Sequence, residues 1–493
     1  MAGYVMSIDQ GTTGSTVMLL DRALEVKGRA NCEYGQIYPR PGWVEHDPEA
    51  IWRSVQAAIK ACLEQAGVGG DQIGAIGITN QRETTVVWDR KTHKPIYNAI
   101  VWQCRRTTDL CRELKEAGLE PRYREKTGLV LDPYFSGTKV RWILDNVEGA
   151  RAKAEQGELC FGTIDTYLVW RLTGGGSFVT DVSNASRTLL MDLHTLEWSE
   201  DLCGPLRVPM KMLPSIRSSA EIYGHTVAEG ALPSGIPIAG MAGDQQSALF
   251  GQACFSVGDA KCTYGTGAFL LVNTGIKPIP SEHGLLTTVA WKLQGQAAQY
   301  ALEGSVFIAG AAVQWLRDQM KFIPKSPESE DLAASVEDSG GVIFVPALTG
   351  LGAPYWNPDA RGLIWGITRG TNTAHLARAT LEGIAFMTHD VLTAMASDLG
   401  KPITGLKVDG GASQNNLMMQ FQSDLLQAPI VRPQMLETTA LGAAFLAGLG
   451  AGLWSSTEEI RETWKEDRTF SPKMDAVTVQ DRLALWHKVV RLA

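Results

Sequence analysis

Two short glycine–threonine stretches limit what this 493-residue chain can fold into more than any other feature. The first is Asp9-Gln10-Gly11-Thr12-Thr13-Gly14-Ser15, set between the apolar runs Tyr4–Ile8 and Thr16–Leu20. The second is Gly265-Thr266-Gly267, between Ala260–Tyr264 and Ala268–Val272. Strand-forming runs that flank a glycine turn predict a β-hairpin in each case. Such a turn can aim successive N–H groups and hydroxyls at one point, a nest for phosphate oxygens. Taken singly, each reads equally as a plain hairpin turn. Two of them about 250 residues apart read as an internal duplication. The expected architecture is therefore α/β, with two related domains, residues 1–252 and 253–493, facing each other across a cleft. Each domain offers a turn to the same polyphosphate, and Asp9, at a strand end, is placed to hold Mg²⁺ through water.

A third stretch, from Gly240 to Phe250, sits where the duplication would place the cleft. Ile236–Ala239 reads as a buried strand and Asp244–Phe250 as the start of a helix. Asp244 then lies at a strand-to-helix turn, either as an N-cap or as a carboxylate open to the cleft. Ile73–Ile78 and Thr84–Trp88 look like strands enclosing Thr79-Asn80-Gln81-Arg82-Glu83. Adjacent Arg82 and Glu83 fit a solvated turn, or a pair that donates to and accepts from a polyol. They can face one pocket only if that turn is irregular. Further on, a loop at Leu131–Thr138 enters a helix over 139–146. A long helix is predicted over Thr373–Leu399, capped by Asn372 or Thr373 and stopped by Gly400. A strand at Leu406–Asp409 breaks at Gly410-Gly411 before a helix from Asn415 to Gln427.

Composition removes several function classes. A net charge of −8 without a long basic run argues against nucleic acid as a partner. The eight cysteines are scattered, with no C-x-x-C pair and no His cluster at zinc spacing. They read as small buried hydrophobes in a reducing, cytoplasmic setting. The chain leads straight from Met1-Ala2-Gly3 into a strand, with no basic leader. Thr438–Trp454 is uncharged but glycine-rich and shorter than the roughly 20 residues a membrane span needs. It reads as a tightly packed internal helix, and no stable membrane insertion is expected. Neither G-x-x-x-x-G-K-[ST] nor the H-R-D set occurs, so a phosphate site here is of another kind.

Together these pieces resemble the FGGY carbohydrate kinases over essentially the whole chain, and within them the members that act on glycerol. The resemblance rests on Asp9–Thr13, Gly35–Pro39, Pro41–Asp47 and Gly77–Thr84. It rests also on the two family signatures, Tyr134–Trp142 and Gly362–Ile367 running on to His375, Leu376 and Glu382. It implies two RNase H-like (actin-like ATPase) domains, mixed β-sheets flanked by helices around an interdomain cleft. It implies MgATP-dependent phosphorylation of glycerol to sn-glycerol 3-phosphate by a homo-oligomer, dimer or tetramer. Arg82, Glu83, Tyr134, Asp244 and Gln245 match glycerol contacts, and Trp102 and Phe269 match aromatic walls. Thr12, Thr13, Gly14 and Thr266 match the phosphate turns. Gly310, Gln314, Gly411 and Asn415 match the nucleoside side, and Asp244 matches the catalytic base.

The resemblance breaks at two points. Thr16 stands where many members have Arg, and Ala228–Gly235 holds neither Arg nor His. Relatives use an Arg there for fructose 1,6-bisphosphate, or a nearby His for phosphorylation, so neither regulation is expected. Two rival readings stay open at this stage. One is an FGGY kinase for a pentulose or for gluconate; the other is an actin-like assembly or ATP-sensing protein.

Overall fold

A computed structural model describes residues 3–493. Met1 and Ala2, read above as leading into the first strand, lie outside the described residues. Two mixed sheets dominate, of six and seven strands. In the first, Tyr4–Gln10 turns back as Gly14–Leu20, which pairs in turn with Val26–Glu33. On its other side Tyr4–Gln10 runs parallel to Ile73–Asn80, and that strand runs parallel to Pro237–Gly243. Ala220–His225 closes this edge. The second sheet repeats the plan. Ala260–Tyr264 turns back as Ala268–Gly275, and Gln299–Val306 and Leu286–Trp291 extend that side. On its other side Ala260–Tyr264 runs parallel to Leu406–Asp409, then comes Ile430–Pro433, with Glu466–Phe470 at the edge. Both expected hairpins are therefore present, at matching places in two related sheets.

The helices follow their signals. Thr373–Leu399 is capped by Asn372, whose side chain accepts from the N–H groups of Ala374 and His375, and it ends at Gly400 in the left-handed region (φ 71°). Its buried face, from Leu381 through Met395, packs under the second sheet. Helix Ser136–Asn146 begins three residues before the expected 139. Helix Asn416–Leu426 uses Asn415 as its cap rather than its first residue. Seven of the eight cysteines are buried and Cys32 is half-buried; all are free.

Helix Thr438–Gly450 lies in sequence between the last two strands of the second sheet, Ile430–Pro433 and Glu466–Phe470, but packs on strands of the first. It is as tight as its glycines suggest. A Cβ at Gly77 would lie 2.0 Å from the Ala443 carbonyl oxygen, and one at Gly442 would lie 1.8 Å from that of Ser247. One at Gly251 would lie 2.0 Å from the Thr438 carbonyl oxygen. Val5, Ala75, Ala242 and Phe250 share one apolar cluster with Leu441, Phe445 and Ala447. Backbone thus meets backbone where this helix crosses Asp244–Gly251, the helix that follows the last strand of the first sheet. No helix among the described residues is long and apolar enough to cross a membrane.

Candidate active site

The parallel register collects the chemistry at one sheet end. Asp9 is level with Thr79, and Gly243 is level with Asn80. Asp9, Arg82 and Asp244 therefore emerge side by side from the carboxyl ends of three neighbouring parallel strands, where open α/β sheets place ligands. Gly243 is the helix N-cap, so Asp244 is the first helical residue rather than the cap. Its carboxylate accepts from the Gln245 N–H at 2.7 Å and pairs with Arg82 Nε at 3.1 Å. About a third of the side chain stays exposed (32%). A Cβ at residue 243 would meet the Arg82 side chain at 2.7 Å, so this approach needs glycine.

Arg82 and Glu83 are buried, not a solvated turn, and the turn is irregular as two inward side chains require. Glu83 has φ 59°, and the Thr84 N–H bonds back to the Arg82 carbonyl at 2.7 Å. Such a conformation costs a non-glycine residue about 1–3 kcal/mol and needs support. The first signature supplies it: Ser136 Oγ and Lys139 Nζ donate to the Glu83 carbonyl at 3.0 and 3.1 Å.

Three charged residues that sequence reasoning missed complete the cluster. Glu303 receives both arms of the Arg82 guanidinium and accepts from Arg187 Nη2 at 2.9 Å. Arg187 Nε donates to Glu83 at 2.7 Å. Lys261 donates to the Gln245 side-chain oxygen, to Thr263 Oγ1 at 2.9 Å and to the Phe269 carbonyl at 3.3 Å. Glu303 and Lys261 come from the second sheet, so these bonds join the two halves. Burial alone would raise Glu303, but Arg187 and Arg82 together hold it well below the usual carboxylate range. Asp244 is raised, first by burial, with Arg82 opposing. Burial likewise lowers Lys261.

Arg82 Nη1 and Nη2 also donate to Gln246 and to the Tyr134 hydroxyl, each at 3.3 Å. Every N–H of the Arg82 fork thus has a protein partner, and a ligand hydroxyl would reach it by replacing one of the 3.3 Å bonds. Tyr134 lies edge-on to Trp102, with ring centres 5.6 Å apart. Trp102 donates its indole N–H to Thr12 Oγ1 at 3.0 Å, tying the aromatic wall to the first turn. Thr16 accepts from the Asn31 side chain at 2.8 Å.

In the second turn the carbonyls point back into the fold. The Gly265 carbonyl accepts from the Gly310 N–H at 3.0 Å. The Thr266 carbonyl accepts from those of Ala309 and Ala311, at 2.9 and 3.0 Å. A trans peptide sets its N–H opposite its C=O, so the Thr266 and Gly267 N–H groups face outward. Among the described residues those N–H groups, and those of Thr12 and Thr13, have no protein partner. Gly310 opens a helix that carries Gln314, and a Cβ there would sit 4.0 Å from that of Ala412. Next to Ala412, Gly411 borders open space, room for a flat ring. Asn415 caps its helix through its oxygen, accepting from the Met418 N–H at 2.9 Å, while its amide nitrogen donates to Ser329 Oγ at 3.5 Å.

Asp9 was expected to hold Mg²⁺. Its carboxyl is pushed up to about 8, first by burial, then by Asp244 and Glu437, with Arg29 opposing. No cluster of three or more carboxylate, His or Cys side chains gathers there among the described residues, so Asp9 would act as a single carboxylate ligand, with phosphate oxygens and water completing the shell that a hard cation needs.

A model of the N-terminal domain of the FGGY family of carbohydrate kinases matches residues 4–251, and one of its C-terminal domain matches residues 260–451. The chain is 61% identical to a glycerol kinase of Myxococcus xanthus over 493 residues, covering 100% of this chain and 99% of that one. Among solved structures it is similar to Plasmodium falciparum glycerol kinase with ADP, at 40% identity and a TM-score of 0.93, covering 99% and 97% of the two chains. The fold alone is shared with a gluconate kinase of Lactobacillus acidophilus, at 24% identity and a TM-score of 0.89, covering 99% and 98%.

Proposed function

The chain belongs to the FGGY family of carbohydrate kinases, and from that premise we propose that it transfers the γ-phosphate of ATP to glycerol, forming sn-glycerol 3-phosphate. The observation that carries the choice of substrate is the whole-length likeness to glycerol kinases. The site supports it: one part-exposed carboxylate stands between an aromatic wall and two outward-facing turns.

In this reading Asp244 accepts the proton of the attacking hydroxyl, and burial raises its affinity for that proton. Arg82, itself clamped by Glu303, keeps the carboxylate aimed. Glycerol's carbons lie against Trp102 and Phe269, and its other hydroxyls meet Arg82, Glu83, Tyr134 and Gln245. Thr12, Thr13, Gly14 and Thr266 hold phosphate oxygens; Gly310, Gln314, Gly411 and Asn415 line the nucleoside. When bound with ATP, Mg²⁺ neutralises charge on the phosphate oxygens, and Asp9 would hold it. Phosphoryl transfer asks the protein chiefly for alignment and charge compensation. Closure of the two domains, residues 1–252 and 253–493, excludes water that would otherwise hydrolyse ATP. The same family reading makes the enzyme a cytoplasmic homo-oligomer, dimer or tetramer.

The test is ATP-dependent phosphorylation of a panel of polyols and ketoses. Glycerol should exceed 1,2-propanediol, which leaves a polar group unpaired at roughly 1–3 kcal/mol. It should also exceed any five-carbon ketose, which must displace an aromatic wall. A pentulose used as efficiently as glycerol would sink the substrate reading.

A further inference from the structure

Gly35–Pro39 and Pro41–Asp47 mark the family in sequence, yet neither they nor the adjoining Tyr34 have a part in the site described so far. The structure puts Tyr34, Gln36 and His46 behind the first turn. The Tyr34 hydroxyl oxygen lies 2.6 Å from the Gly11 carbonyl and 2.9 Å from the Thr12 carbonyl. Gln36 Nε2 donates to the Thr12 carbonyl at 2.9 Å. The side-chain amides of Gln10 and Gln81 donate to the Tyr34 oxygen, both at 3.0 Å. They also reach the Gly11 carbonyl, at 2.8 and 3.2 Å. Because Gln36 uses its NH₂ on Thr12, its oxygen is the acceptor for His46 Nε2, 2.6 Å away. That bond assigns the imidazole proton to Nε2 and leaves Nδ1 to accept from Gln81 at 3.4 Å. Buried His46, pulled down to about 4 by desolvation, keeps this neutral form throughout the physiological range.

Resting on the kinase reading above, we propose that Tyr34, Gln36 and His46, with Gln10 and Gln81, are positioning residues for nucleotide phosphate. They bond the Gly11 and Thr12 carbonyls on the face away from the cleft. Each trans peptide then turns its N–H the other way, so Thr12 and Thr13 present donors to an anion. A carbonyl swung forward would put a partial negative charge against the phosphate instead. The network is dense: the side-chain donors of Gln10, Tyr34, Gln36, Gln81 and His46 each find an acceptor within it, which favours one orientation.

Tyr34→Phe deletes the hydroxyl and keeps the ring. Binding of MgATP and of adenosine is measured by calorimetry on the full chain, without glycerol. The Kd for MgATP should rise about tenfold, as loss of a buried hydrogen bond to the turn would give, and that for adenosine should stay put. Gln36→Met, at a half-buried position, should give the same split with a smaller shift, and serves if Tyr34→Phe does not fold. Equal losses for both ligands, or none for either, would overturn the proposal, since a scaffold has no reason to single out phosphate. Wild-type protein that binds no MgATP would overturn the kinase reading and this proposal with it. Variants that show the split, in a protein whose wild type leaves glycerol untouched, would remove only the substrate assignment.

Discussion

The turns at Gly11–Thr13 and Gly265–Gly267 present N–H groups to the cleft in the same way but are held by different means. Side chains gathered from Gln10, Tyr34, Gln36 and Gln81 hold the first. Main-chain N–H groups at the start of helix Gly310–Asp318 hold the second. The first turn is also longer, with four residues between paired Gln10 and Ser15 against three between Tyr264 and Ala268. A duplicated device can thus keep its output while its support diverges. Support from side chains can be lost one atom at a time. Support from the main chain yields only when something is pushed into it.

In the proposed reaction the proton acceptor, Asp244, belongs to the first half, and its removal gives the largest expected effect. Asp244→Asn should lower kcat by a factor on the order of 10²–10⁴ with ATP binding little changed. Steady-state kinetics with nucleotide titration checks this, and near-normal turnover would leave Asp244 a purely structural role. The second half contributes charge across the boundary instead. Glu303→Gln leaves Arg82 and Arg187 buried without their shared counter-ion and should cost about 3–5 kcal/mol in chemical denaturation. A loss below about 1 kcal/mol would mean that the buried cluster rearranges freely.

The contrast in turn support is sharpened by Gly310→Ala. Its Cβ would lie 2.6 Å from the Gly265 carbonyl oxygen, forcing the second turn forward. An overpacking cost of about 1–3 kcal/mol predicts a KM for ATP raised roughly tenfold or more, with the KM for glycerol unchanged. Equal shifts in both constants would refute the separation.

A smaller effect concerns Asp9, which has no counterpart in the second turn. Its folded-state value of about 8 exceeds the roughly 3.9 of an unfolded chain. Between these values the folded protein holds a proton that the unfolded one has released. Its contribution therefore favours folding most at acid pH and is lost as pH rises towards 8. Asp9→Asn should flatten the fall of Tm between pH 5 and 8 in nucleotide-free protein; an unaltered slope would assign it to another group. The smallest expectation is no effect at all. Glu229 accepts from Trp52 and Gln56 in the loop without Arg or His, an acidic setting for a bisphosphate. Titration with fructose 1,6-bisphosphate should leave activity unchanged, and clear inhibition would reveal a site elsewhere.

Much of this was legible in the sequence because local patterns wrote it. Both hairpins, the Asp244 turn and the caps of Thr373–Leu399 rest on residues adjacent in the chain. The irregular turn at Glu83 followed from two charged neighbours needing the same pocket. Glu303 and Arg187 were not found, since their partners lie more than 100 residues away, nor was Lys261, whose side chain reaches across to Gln245 of the first half. A signal existed for two of them: each is a lone charge inside an apolar strand, Lys261 in Ala260–Tyr264 and Glu303 in Gln299–Val306. Such a charge is buried only when paired. Gln36 and His46 were noticed only within the family marks Gly35–Pro39 and Pro41–Asp47, and Tyr34 not at all; only the fold shows what they touch.

The seat of Thr438–Gly450 on the first sheet bears on how the chain is made. Synthesis runs from the N-terminus, and domains generally fold as they emerge. The first sheet has all its strands by Gly243, yet its apolar face at Val5, Ala75 and Ala242 waits for Leu441, Phe445 and Ala447. For most of translation that face has no native cover, and a fragment ending at residue 252 would carry it bare into solution. The two halves share a strand plan, but the first cannot mature alone on the ribosome.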